Sequence, residues 1–61
     1  MKFIELTENG SDRINSIAID KIKSLESLKY HSGTIVTIVT FIDGTELHAK
    51  EPISVIKSRL N

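Results

Sequence analysis

The chain has 61 residues and no cysteine, and its eight Lys and Arg are matched by eight Asp and Glu. A single small domain spanning residues 1–61 follows, able to bury only about 60% of the surface its unfolded chain exposes, with disulfides and thiolate metal sites excluded as staples. Zero formal charge also removes the basic excess by which nucleic-acid binders release phosphate counterions.

No apolar run approaches the roughly 18–20 residues that span a bilayer. The opening MKFIELTENG has neither the apolar stretch nor the small-residue cleavage site of a signal peptide. A cytoplasmic chain without membrane insertion is expected, and the absence of Cys fits a reducing compartment.

Residues 2–7, KFIELT, alternate Phe3, Glu5 and Thr7 against Ile4 and Leu6 and read as a strand. The cluster Glu8-Asn9-Gly10-Ser11 is a turn, and Asp12–Ile17 returns as a second strand, making a hairpin. In 17–30, Ile19, Ile22, Leu25 and Leu28 recur every three residues. On a helix that stripe drifts by about 60° per step, so one face cannot hold it. A turn through Ala18–Lys21 followed by a strand over Ile22–Lys29 is preferred, with one helix over 18–28 as the alternative.

His31-Ser32-Gly33 makes the next turn. Thr34–Ile42 is β-branched at every position except Phe41, and such side chains favour strands. Asp43-Gly44 between apolar-rich runs favours a two-residue type I′ hairpin, with Thr45–Lys50 returning. Pro52 suits a first helical turn. Ile53, Ile56 and Leu60 then form one stripe, with Lys57 and Arg59 complementing the dipole at the end, so a helix is expected over about 52–60. The fold class is α+β, mainly β: an antiparallel meander of about five strands, curled or partly barrel-like, with one short C-terminal helix.

The central strand repeats Thr-Ile-Val, Thr-Ile-Val, Thr-Phe-Ile, which gives it two apolar faces. A two-residue hairpin sets Ile42 opposite Thr45, Thr40 opposite Leu47 and Ile38 opposite Ala49, and the helix is expected on that face. The other face sets Phe41 opposite Glu46, Val39 opposite His48 and Thr37 opposite Lys50. Burial of Ile35, Val39 and Phe41 is worth roughly 1.5–3 kcal/mol each, a large share of the ~5–15 kcal/mol available to a domain. These three residues are the expected interface, closed by a second copy in a homo-oligomer, by the sheet curling on itself, or by a foreign partner.

No nucleophile–base–orienter set and no phosphate-cradling loop is readable, so an enzyme is not expected and no cofactor is called for. Glu46 and His48 share a strand face without a third ligand at a useful spacing, and no metal is expected. His31 falls in an exposed turn. Lys21, Lys23, Lys29 and Tyr30, with Lys57 and Arg59, could form a nucleic-acid face with a stacking aromatic. The plainer reading is a solvated edge whose lysines deter edge-to-edge pairing.

Phe3-Ile4-Glu5-Leu6-Thr7, Gly10, Ile14-Asn15, Ile22…Leu25-Glu26, Phe41-Ile42-Asp43-Gly44 and Glu51…Val55-Ile56 together resemble the small FlbD-type flagellar and swarming-motility proteins over nearly the whole chain. The resemblance implies a cytoplasmic accessory to motility with no known chemistry. The strand-turn-strand rhythm is also similar to the DNA-binding LytTR domain, whose basic loops are poorly represented here, and a phage or mobile-element protein on the same scaffold is a third reading. The expectation is a non-enzymatic protein–protein interaction module, with a small nucleic-acid-binding regulator as the alternative.

Overall fold

The computed structural model describes residues 2–60. Among them run β1 (Phe3–Thr7), β2 (Ile14–Ala18), a 3₁₀ turn (Ile19–Lys21), β3 (Ile22–Lys29), β4 (Ile35–Phe41), β5 (Glu46–Ala49) and α1 (Ile53–Leu60). The expected five strands and C-terminal helix are present, and the alternative helix over 18–28 is replaced by the turn and β3. β1 and β2 pair antiparallel, and β3-β4-β5 form a three-stranded antiparallel sheet.

The two sheets meet at a bridge between Glu8 and Ala49. Backbone bonds flank it, from Asn9 N–H to the His48 carbonyl (2.8 Å) and from Lys50 N–H to the Thr7 carbonyl (2.8 Å). They do not close into a barrel, which corrects the barrel-like part of the expectation.

β2 starts at Ile14 rather than Asp12. Glu8 N–H bonds the Arg13 carbonyl and Asp12 N–H bonds the Glu8 carbonyl, so the loop keeps Asp12 at a positive φ of 59°. Ile4 and Leu6 point inward from β1 and are buried, while Phe3 is 58% exposed. In β3 the pairing shifts between Ile22 and Ser24, a bulge that inserts Lys23 as an extra residue. The bulge resolves the three-residue period: Ile22 and Leu25 both reach the core, while Leu28, opposite Val36, falls on the other face.

The β4–β5 connection overturns the expected register. Thr40 pairs with Glu46, Val39 with Leu47, Ile38 with His48 and Thr37 with Ala49. Gly44 N–H bonds the Phe41 carbonyl and Phe41 N–H bonds the Thr45 carbonyl, both at 2.9 Å. This is a three-residue loop, Ile42-Asp43-Gly44, with Gly44 at φ 92° in the left-handed region that closes such hairpins. Asp43 Oδ1 accepts from both the N–H (3.0 Å) and the hydroxyl (2.7 Å) of Thr45. Asp-Gly therefore sits one place later in the turn than a type I′ hairpin needs, and a one-residue slip sends every side chain to the opposite face.

The core accordingly gathers Val39, Leu47 and Ala49 from the sheet, Ile4 and Leu6 from β1, and Ile56 from α1. Glu51, between β5 and α1, binds these parts together. Its carboxylate accepts from the Thr7 N–H through both oxygens and from the Thr7 hydroxyl, each at 3.0 Å. Arg59 of α1 adds a contact at 3.4 Å and also donates to the Glu5 carbonyl at 2.7 Å. The Glu51 carbonyl takes the hydroxyl of the buried Thr37 at 2.8 Å.

Burial pushes the Glu51 carboxyl upward, but the Thr7 bonds and Arg59 outweigh it and hold the group below the ordinary value of 4.5. A carboxylate whose folded value is depressed stabilises the fold above its unfolded value, and that contribution is lost as pH falls through the folded one. Urea denaturation of the wild type should therefore lose more stability between about pH 5 and pH 3 than Glu51→Gln does. At neutral pH the same substitution should cost about 1–2 kcal/mol. By the same assay Leu6→Ala should cost roughly 2–5 kcal/mol and Phe3→Ala under about 1 kcal/mol.

Candidate interaction face

Ile35, Val39 and Phe41 share one face of β4, as their alternation requires, but that face is the one the chain itself covers. Val39 is 0% exposed, Phe41 is half-buried against the core, and Ile35 is left 56% exposed at the start of the strand. The register explains the difference: Val39 lies opposite Leu47 instead of His48, so the β1–β2 hairpin and α1 cover the face assigned to a second copy.

The opposite face of β3-β4-β5 is left without a covering element among the described residues. Its rows follow from the pairing. Leu28 lies beside Val36; Glu26, Ile38 and His48 form one row; Ser24, Thr40 and Glu46 form the next. Ile38 and Thr40 are half-buried, and Ile42, just past the end of β4, is 60% exposed.

Val36 is 0% exposed although no strand or helix lies over it. Tyr30, anchored by its N–H to the Thr34 carbonyl at 2.8 Å, continues β3 on this face. Its hydroxyl meets His48 Nδ1 at 2.8 Å, with the ring centroids 6.3 Å apart. The contact runs diagonally from the β3 edge to β5, and Val36 occupies the middle of that diagonal on β4. Tyr30 and His48 thus bridge the sheet face on which Val36 is buried, a contact that becomes readable only once the register puts residues 26, 28, 30, 36, 38 and 48 on one face.

Glu46 and His48 do share this face, but no group of three metal-ligating side chains exists among the described residues. His31 is exposed in its turn. Lys50 pairs with Asp12 at 2.9 Å with both side chains exposed, a contact of the kind worth little in water. At the hairpin end an open depression of about 380 Å³ is lined by Lys21, Phe41, Ile42, Asp43 and Thr45. The Thr45 bonds hold the Asp43 carboxyl below its usual range. Lys21 borders this depression, Lys23 is the bulged residue of β3 and Lys29 its last, and Lys57 and Arg59 lie on α1 with Arg59 turned to Glu51. No described helix is long and apolar enough to cross a membrane.

No protein-family model matches the chain, and neither a curated protein nor a solved structure gives a match.

Replacing Tyr30 by Phe should cost about 0.5–1.5 kcal/mol, the net worth of one hydrogen bond. Tyr30→Ala, which also removes the ring packed beside His48, should cost visibly more in the same denaturation experiment.

Proposed function

We propose that this chain is a non-enzymatic interaction module that self-associates through the open face of β3-β4-β5. The observation that carries the reading is an apolar sheet face, Leu28, Val36 and Ile38 with the Tyr30–His48 contact, bordered by charge of both signs and covered by no other described element. Tyrosine and aliphatic side chains ringed by polar groups are the usual make-up of a protein contact. The occupant is a second copy. A chain of zero net charge does not repel itself at long range and offers a polyanion no net attraction. The face measures about 14 Å across three strands and about 20 Å along them, on the order of 300 Å² per copy. Two copies then bury less than the ~1,200 Å² of a standard interface, so the association is weak and concentration-dependent.

The FlbD-type resemblance supports placing such a module in a motility assembly, where a weak self-contact is multiplied by neighbours.

Sedimentation equilibrium on wild type should give a mass rising from monomer to dimer, with a midpoint on the order of 0.1–1 mM. Ile38→Glu should hold the chain monomeric over that range while its circular dichroism stays native. A wild type that remains monomeric throughout, or a dimer indifferent to Ile38→Glu, overturns the reading.

A further inference from the structure

We infer that two copies meet about a two-fold axis running along β4, so that Glu26 of each faces His48 of the other, and that acidification tightens the pair. The inference rests on the self-association proposed above and supplies its register and its regulation. Glu26, Ile38 and His48 lie side by side in one row across β3, β4 and β5. The row is therefore acid at one edge, apolar in the centre and imidazole at the other edge.

Two sheets packing face to face keep their strands within about 30° of alignment, which leaves two ways to relate the copies. An axis across the strands through the same Ile38 row would set β3 on β3 and bring Glu26 against Glu26, a like-charge contact. An axis along β4 sets β3 on β5 instead. Ile38 then meets Ile38 at the centre, Glu26 meets His48 twice, and the Ser24 hydroxyl comes within reach of the Glu46 carboxylate. The Glu26 row and the Ser24 row are both complementary in the second arrangement.

Histidine is the side chain that changes charge between about pH 5 and 8. Around His48 stand the Tyr30 hydroxyl on Nδ1, Glu46 two residues back on the same strand, Glu26 of its own chain across β4, and Lys50 two residues on with its ammonium drawn to Asp12. On the β1 side its carbonyl takes the N–H of the neutral Asn9. With Nδ1 occupied, Nε2 is the atom left for Glu26 of the second copy. Protonating the ring converts a hydrogen bond with charge on the carboxylate alone into an imidazolium–carboxylate ion pair. The dimer consequently binds protons more tightly than the monomer, and by linkage association strengthens as pH falls.

The test is the dimer dissociation constant of the full chain by sedimentation equilibrium at about pH 8 and about pH 5.8, a window in which imidazole titrates and glutamate stays ionised. The wild type should dimerise at least about fivefold more tightly at the lower pH. Glu26→Gln, at an exposed position, should abolish that response, as should His48→Gln, whereas His31→Gln should leave it intact. Glu26→Lys and His48→Glu should each weaken association, and combining them should restore it. Association with the same strength at both pH values, or a full pH response in Glu26→Gln, overturns the inference while leaving the self-association reading standing. Absence of association at either pH overturns both.

Discussion

The Glu51 carboxylate is the polar contact on which the joining of hairpin, sheet and helix depends. Among the described residues the β1–β2 hairpin and the three-stranded sheet share one bridge, Glu8 to Ala49, with its two flanking backbone bonds, which is sparse backbone pairing between two sheets around a common core. Glu51 supplies what is missing. Its side chain grips the end of β1 through Thr7 and reaches α1 through Arg59. Its carbonyl satisfies the hydroxyl of Thr37, a polar residue buried in the middle of β4. One residue thus fixes where the hairpin, the helix and the sheet stand relative to each other. A partly buried carboxylate is tolerated there because hydrogen bonds and a guanidinium replace much of its water.

Most of the fold was legible because local signals agreed. Alternation in residues 2–7, β-branching through 34–42, turn residues at 8–11 and 31–33, and the stripe after Pro52 each specified one element, and the elements stand there. The three-residue spacing of Ile19, Ile22, Leu25 and Leu28 correctly argued against a helix. What that spacing did not disclose was the bulge at Lys23 that lets Ile22 and Leu25 share a face.

The register of the last hairpin was the costly step. A two-residue and a three-residue loop both accommodate Asp-Gly, and the choice rests on bonds that no sequence window displays: Thr45 on Asp43, and Gly44 on Phe41. Because β4 is apolar on both faces, hydrophobic pattern could not break the tie. The two faces therefore exchanged roles, Val39 passing to the interior and Ile38 and Ile42 to the outside. The Tyr30–His48 contact was hidden for the same reason, since residues 18 apart in sequence become neighbours only when the register is known. Glu51 was visible as part of a resemblance, but its partner Thr7 lies 44 residues away.

The bulge at Lys23 has a consequence for how the chain behaves in a crowd. β3 spans eight residues, pairs only with β4, and belongs to a chain whose net charge gives no colloidal repulsion. A long, flat strand of that kind is a template for edge-to-edge growth into fibres. The extra residue bends and overtwists the strand, and Lys23 and Lys29 set an ammonium toward each end of it. Growth along the hydrogen-bonding direction is thereby disfavoured, because a bent, charged edge offers a poor template for a further strand.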